Sequence, residues 1–207
     1  VLDVACGTGY GSAVLADAGA ESVIGIDLSP EAVAHARMHH ARSSTDFRAD
    51  DAQVLRSVPD ASVELIASFE TLEHVPNASA LVAALARVLV PGGTLLISTP
   101  NRRLGRIKDQ LSKRPSNPHH VYEFTRGELV RLMKPKFRVE KILGQNFIAP
   151  PLAFFPVQAV GKTLLALLKL RNLQNRIYYA GSGPAVRRAT PFSTPRYLIA
   201  HCTRLRD

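Results

Sequence analysis

The chain has 207 residues, 46% of them hydrophobic and 21% charged, which is enough apolar material for one ordinary domain core and too much for a disordered chain. Its two cysteines, Cys6 and Cys202, stand near opposite ends, so neither a disulfide framework nor a thiolate metal site is implied, and a reducing cytoplasm is expected. The net charge of +9 is unevenly spread: residues 1–100 hold 5 Lys/Arg against 12 Asp/Glu, while residues 101–207 hold 21 against 5, so the second half should attract an anionic partner.

The first hundred residues alternate short apolar runs with helical patterns, the pattern of βαβ units on a parallel sheet. Strands are predicted at 1–5, 22–27, 46–49, 63–69 and 94–99, with helices at 12–18, 30–42 and 78–90 between them. The opening "VLDVACGTGYGS" places Gly7, Gly9 and Gly11 in the first strand-to-helix turn, where clustered glycines suggest a ligand lying against backbone. Ser29 before Pro30 reads as an N-cap followed by proline at the first helical position. Leu81, Val82, Leu85, Val88 and Leu89 recur at helical spacing, and "PGG" is expected to end that helix and launch the next strand. The chain opens without methionine and inside a strand, with no signal peptide in view, so a fragment lacking an N-terminal segment is expected.

After residue 100 the polar, basic stretch "NRRLGRIKDQLSKRPSNPHH" reads as a long loop of the functional kind. Thr125 and Glu128 then form a capping box, with Phe124 and Leu129 as its hydrophobic staple, which specifies a helix over 126–133. "FRVEKILGQ" and "RYLIAHCT" alternate as strands. Between them lies an insertion, 147–195, whose helical pattern puts Gln158, Lys162, Lys169, Asn172 and Arg176 on one stripe. Its apolar run is broken by Lys162 and Lys169 and falls short of the roughly 20 residues a bilayer span needs, so it should pack on the domain as a lid or lie on an anionic membrane surface. The expected architecture is one α/β domain over 1–207, Rossmann-like and doubly wound. Its sheet is mostly parallel and seven-stranded, with an antiparallel last strand at 196–204 and the helical insertion before it. Within it, 1–100 is the cofactor-binding half and 101–146 the acceptor-side loop, helix and strand.

A dinucleotide turn wants GxGxxG, but Ser12 stands where its third glycine would fall, so NAD fits poorly. Asp27, 18 residues beyond Gly9 at the end of "VIGID", is placed to accept hydrogen bonds from a ribose. With these residues the chain resembles the class I S-adenosylmethionine-dependent methyltransferases, and "DVACGTG" follows their first motif except that Ala5 occupies the first glycine position, adding only a methyl group. The blocks "DDA" at 50–52, "SFETLEHV" and "RVLVPGGTLLISTPN" extend the resemblance in order. It implies S-adenosylmethionine as cofactor, with Asp3, Ala5, Gly7 and Gly9 along its methionine portion and Asp27 on the ribose. It further implies Leu28, Asp51 and Ala52 at the adenine, and Phe69 closing the site. Adenosylmethionine has no phosphate and carries a cationic sulfonium, which the acidic first half suits.

Methyl transfer is an in-line displacement, and a hydroxyl acceptor also needs a base. His120 in "NPHHVYEF" is the candidate, with His119, His74 and Glu123 behind it, and no metal is expected. Residues 98–145 also resemble a subgroup of these enzymes associated with cell-surface polysaccharide and glycolipid assembly. A small molecule, sugar or lipid-linked glycan is therefore the expected acceptor. RNA methylation through the basic half and a noncatalytic adenosylmethionine-binding module are the alternatives, and nucleic acid is disfavoured because tryptophan is absent and "SFET" stands where exocyclic-amine enzymes carry a Pro-Pro-aromatic block.

Overall fold

The triplet Leu2-Asp3-Val4 is buried throughout, as befits the central strand of a parallel sheet covered on both faces. The computed structural model describes residues 1–102, 115, 117–147, 187–188 and 195–206. Its elements run β1 (Leu2–Val4), α1 (Tyr10–Asp17), β2 (Val23–Asp27), α2 (Pro30–His39), β3 (Thr45–Ala49), β4 (Val63–Ser68), α3 (Ala78–Val88), β5 (Leu89–Pro100), α4 (Arg126–Met133), β6 (Phe137–Phe147), β7 (Arg187–Arg188) and β8 (Pro195–Arg204). The sheet order is β3-β2-β1-β4-β5-β8-β6-β7. Strands β1 to β5 pair in parallel, while β8 runs antiparallel to both β5 and β6. The chain steps outward from β1 to β3 and returns to β4 beside β1, which makes the β1/β4 edge the point where the winding reverses and where α/β sheets bind ligands.

This is the Rossmann-like sheet expected from the sequence, with its seventh long strand antiparallel between β5 and β6. The two-residue β7, pairing with Leu143 and Gly144 of β6, adds an edge that the helical reading of the insertion did not foresee. The basic loop after Arg102 and nearly all of the amphipathic insertion lie outside the described residues.

Local signals explain the helices. The Ser29 hydroxyl accepts from the Ala32 amide at 3.1 Å, with Pro30 at the first helical position. Asn77 caps α3 through the Ala80 amide, and Leu81, Val82, Leu85 and Val88 are buried as their spacing requires. The capping box of α4 forms in full, and both staple residues, Phe124 and Leu129, are buried. Two helices end more than one residue earlier than expected. Helix α2 stops at His39 because the next turn, in which the Thr45 amide donates to the Arg42 carbonyl, delivers Thr45 to its partner Val23. Helix α3 stops at Val88, since Leu89 is already extended and pairs with Val63. "PGG" therefore lies inside β5, where Gly92 takes a φ of 82° beside a register shift against β4.

A partly buried ion pair ties the end of β5 to α4. Arg102, whose side chain is 8% exposed, donates to both carboxylate oxygens of Glu128 at 2.6 and 2.7 Å, and to the Tyr122 hydroxyl at 2.5 Å. Burial alone would raise the Glu128 carboxyl, but the Thr125 amide, Arg102 and Tyr122 outweigh it and hold it down at about 2. Its stabilising contribution is therefore complete above the ordinary glutamate value near 4.5 and is lost as pH falls toward about 2. Glu128→Gln is expected to lower unfolding stability by about 3 kcal/mol at pH 7 and by clearly less at pH 3, as read by denaturant titration at the two pH values.

Candidate active site

Strand β1 ends in a turn whose backbone is held from two sides. The Cys6 amide donates to the Ile26 carbonyl at 2.9 Å, and the Gly9 amide to the Cys6 carbonyl at 3.0 Å. The Gly7 amide donates to Asp27 Oδ2 at 2.8 Å, while Asp27 Oδ1 accepts from the Ser29 amide at 2.9 Å. One carboxylate thus joins the glycine turn to the start of α2. Asp3 lies beneath, buried, with Ser12 Oγ donating to its Oδ2 at 2.6 Å. Burial pushes the Asp3 carboxyl up, and the Cys6 thiol is driven to about 12 by burial and then by Asp3 and Asp27. The first 36 residues contain no lysine or arginine, so the turn presents a negative field to whatever enters it.

The glycines have different reasons to be there. Gly7, with φ 53°, has open space where a Cβ would point, so a ligand can reach its backbone. Gly9, with φ 90°, is buried: a Cβ there would lie 2.6 Å from that of Ala36 and 3.0 Å from the Phe47 ring, so it seats α1 against α2 and β3. Gly25 of β2, which sequence reasoning passed over, does the same for Phe47 and Ser12. Ala5 adopts φ 59°, the left-handed region that disfavours a Cβ, so its methyl group carries a backbone strain that reading it as a simple glycine substitute missed.

The next strand ends bring up the other expected residues. The Asp50 amide donates to the Asp27 carbonyl, setting "DDA" beside β2. Asp50 itself is structural: its carboxylate accepts from the Ser57 amide and hydroxyl, each at 2.7 Å, and these bonds outweigh burial to lower its pKa. Asp51 Oδ1 accepts from the Gln53 amide at 2.8 Å, and Ala52 is half-buried against the core. Leu28 and Phe69 are 73% and 47% exposed at the ends of β2 and β4, large apolar surfaces that a bound ring would cover.

On the far side of β4, a cavity of about 350 Å³ is lined by Phe69, Glu70, Ser98, Gln145, Tyr197 and Ile199. Ser98 Oγ donates to Glu70 Oε1 at 2.7 Å, and partial burial raises the Glu70 carboxyl, an effect that the hydrogen bond and the nearby imidazoles of His120 and His74 partly offset. Below it Glu73 is 1% exposed. Its Oε2 accepts from Thr99 Oγ1 at 3.2 Å, and its Oε1 has no hydrogen-bond partner. Burial, reinforced by Glu70 and Glu123, pushes its carboxyl to about 7.

The "NPHHVYEF" segment docks here through the Val121 amide, which donates to the Glu73 carbonyl at 2.7 Å. His120 Nδ1 lies 2.8 Å from Glu123 Oε1, its Nε2 lies 2.8 Å from the Asn117 side-chain nitrogen, and its ring meets that of His74 edge-on at 4.9 Å. His74 Nδ1 lies 3.0 Å from the His119 carbonyl. His120, His74 and Glu123 therefore converge, and His119 contributes its backbone. Sequence reasoning missed Glu70, Glu73, Ser98, Gln145 and Tyr197, though two glutamates three apart before a histidine in "ETLEH" were a usable signal.

A family model described as a methyltransferase domain matches residues 2–97. The chain is 39% identical over 146 residues to a protein of Mycolicibacterium smegmatis named "Probable S-adenosylmethionine-dependent methyltransferase", aligning 70% of this chain with 54% of that one. It is 44% identical over 158 residues to a "Ubiquinone biosynthesis O-methyltransferase" of Xanthomonas oryzae pv. oryzae, aligning 71% of this chain with 66% of that one. The chain thus spans between about half and two thirds of the length of these curated relatives. The crystal structure of an S-adenosylmethionine-dependent methyltransferase from Mesorhizobium loti shares the fold, with a TM-score of 0.64 over 98% of this chain and 90% of that one at 19% identity.

The two glycine roles separate by experiment. Gly9→Ala is expected to cost about 3 kcal/mol of stability, from left-handed strain plus overpacking against Ala36, whereas Gly7→Ala should cost only about 1 kcal/mol of strain; chemical denaturation of the two variants reads the difference.

Proposed function

The chain belongs to the class I S-adenosylmethionine-dependent methyltransferases, and from that premise we propose that it methylates a hydroxyl oxygen of a small molecule. The turn fits the family's cosubstrate: an open backbone face at Gly7, two carboxylates and no nearby lysine or arginine in sequence suit a cationic amino acid and sulfonium, and offer nothing to a phosphate. S-Adenosylmethionine, when bound, supplies an electrophilic methyl group: the acceptor oxygen forms the new C–O bond as the C–S bond breaks, its electron pair stays on sulfur, and the hydroxyl proton is lost. Asp27 keeps its carboxylate at the turn and turns it to the ribose. Leu28, Asp51, Ala52 and Phe69 wall the adenosine, and Asp3 and the turn at Ala5, Gly7 and Gly9 flank the methionine portion.

The acceptor occupies the cavity beside Glu70 and Ser98, and His120, backed by Glu123, is the group that activates its hydroxyl. That arrangement, a largely buried imidazole–carboxylate pair close to Glu70 of a cavity lying across β4 from the winding reversal, is the observation that carries oxygen methylation. The acceptors we favour are phenols, sugars and lipid-linked glycans, the last reached at an anionic membrane surface through the basic insertion. Among the described residues no helix is long and apolar enough to cross a membrane.

Calorimetry is expected to show binding of S-adenosylmethionine and of its demethylated product, weakened about tenfold or more by Asp27→Ala. In an acceptor screen of phenols and glycosides, His120→Ala should reduce turnover about a hundredfold. An absence of binding would remove the cofactor reading, and methylation of RNA with none of small hydroxyls would replace the acceptor.

A further inference from the structure

We infer that a second cavity, at the far end of the sheet from the glycine turn, is a binding site for the phosphate group of a phosphate ester. It measures about 410 Å³ and is enclosed by α3, the turn before β6 and the end of β8. Arg87, Lys136, Arg204 and Arg206 line it, with no carboxylate among the described lining residues. Strand β8 runs from Tyr197 at the acceptor cavity to Arg204 here, about 23 Å away at roughly 3.3 Å per residue, so the two cavities are separate sites. The excess of lysine and arginine after residue 100 calls for an anionic partner, and the fold gathers part of it at this place.

The end of β8 is fastened before it delivers its cations. Arg204 pairs with Phe137 of β6, and the Leu205 amide donates to the Lys136 carbonyl at 3.1 Å, which carries the ladder one residue past the strand. Arg204 and Arg206 stand two apart in extended chain and so project to one side, where Lys136 meets them from the opposing turn. Arg204 Nη1 donates to the Leu89 carbonyl, and Arg206 Nε lies beside Gly92, 3.9 Å from where a Cβ would stand. A carbonyl holds a guanidinium in place without cancelling its charge, so Arg204 is aimed and still cationic. Arg87 has a different part: the carbonyls of Leu55 at 2.7 Å and Val54 at 3.0 Å, together with Asp60, take up its guanidinium, so it forms wall.

The negative end of α3 is answered within the protein. The carbonyls of Arg87, Val88 and Leu89, where the helix dipole places that charge, accept from the Ala61 amide, the Ser62 amide and Arg204. Three cations in one recess then suit a dianion with several oxygens, since a guanidinium meets two phosphate oxygens with its planar fork and an ammonium adds a point charge. The cavity falls within the roughly 300–1,000 Å³ of small-molecule sites, so it has room for the organic part of an ester as well as its phosphate.

The test titrates inorganic pyrophosphate, as the probe, into the whole chain by calorimetry at about 0.15 M salt, where loose attraction between distant exposed charges is screened. Lys136→Gln/Arg206→Gln removes two exposed cations of the cavity, and Arg131→Gln/Lys141→Gln removes the same charge from exposed positions outside it. One equivalent should bind, at least tenfold more weakly to the first pair and within about twofold unchanged in the second. No binding, an equal loss in both pairs, or displacement of pyrophosphate by the demethylated product of S-adenosylmethionine would overturn the site. Vesicles of phosphatidylcholine with phosphatidic acid then identify the source of the phosphate. Sedimentation of the unsubstituted chain but not of Lys136→Gln/Arg206→Gln assigns a lipid headgroup, and no difference between them assigns a soluble ester. The site does not rest on the methyltransferase reading, since failure of the demethylated product to bind would remove that reading and leave the pyrophosphate result standing.

Discussion

The candidate site depends on one carboxylate. Asp27 accepts from the amides of Gly7 and Ser29, and so fixes the spacing between the turn after β1 and the first residue of α2. Because β1 and β2 pair in register through Leu2–Ile24 and Val4–Ile26, that bond also sets how far the turn leans over the sheet edge. The neighbouring turns inherit the placement: the Asp50 amide reaches the Asp27 carbonyl, and Thr71 Oγ1 reaches the Val4 carbonyl from beyond β4. The parallel strands all end on one side, and around the glycine turn that side gathers carboxylates. A ligand bearing positive charge is thereby favoured.

On the other side of the winding reversal the logic is different. Glu73 is buried and Glu70 stands near it at the cavity, with imidazoles close by. Carboxyls so placed are expensive to keep for structural reasons alone, since apolar residues of similar volume would pack as well. The segment carrying His120 is pinned through backbone bonds to the Glu73 carbonyl and is closed from behind by the Arg102–Glu128 pair, so its position does not depend on loose side chains. The site is thus assembled from a rigid edge and a docked segment, each with its own anchors.

Much of this was legible in the chain because the informative contacts are short in sequence. Ser29 caps its own helix, Thr125 and Glu128 form their box within four residues, and the alternation of 137–145 and 196–203 announced the two long antiparallel strands. The glycine turn and Asp27 are 20 residues apart but belong to one βαβ unit, so their spacing was readable too. What escaped were pairings with no local signature. Whether Glu73 is buried depends on Thr99 and on the segment around residue 121, and the need for glycine at position 25 appears only when Phe47 lies beside it. The start of β5 was misplaced because Leu89 and Val90 suit either state, and the decision was made by Val63 across the sheet.

The cavity wall opposite Glu70 has a further implication. Gln145 and Tyr197 are direct cross-strand partners on β6 and β8, and Ile199 faces Ser98 across β5, so the wall is built from antiparallel rungs that share nothing with the glycine turn. Rungs of this kind can exchange side chains without moving the backbone. On the acceptor reading proposed above, diversification within such a chain can proceed by trading substrates through three late strands, while the early strands go on presenting the same activated carbon donor.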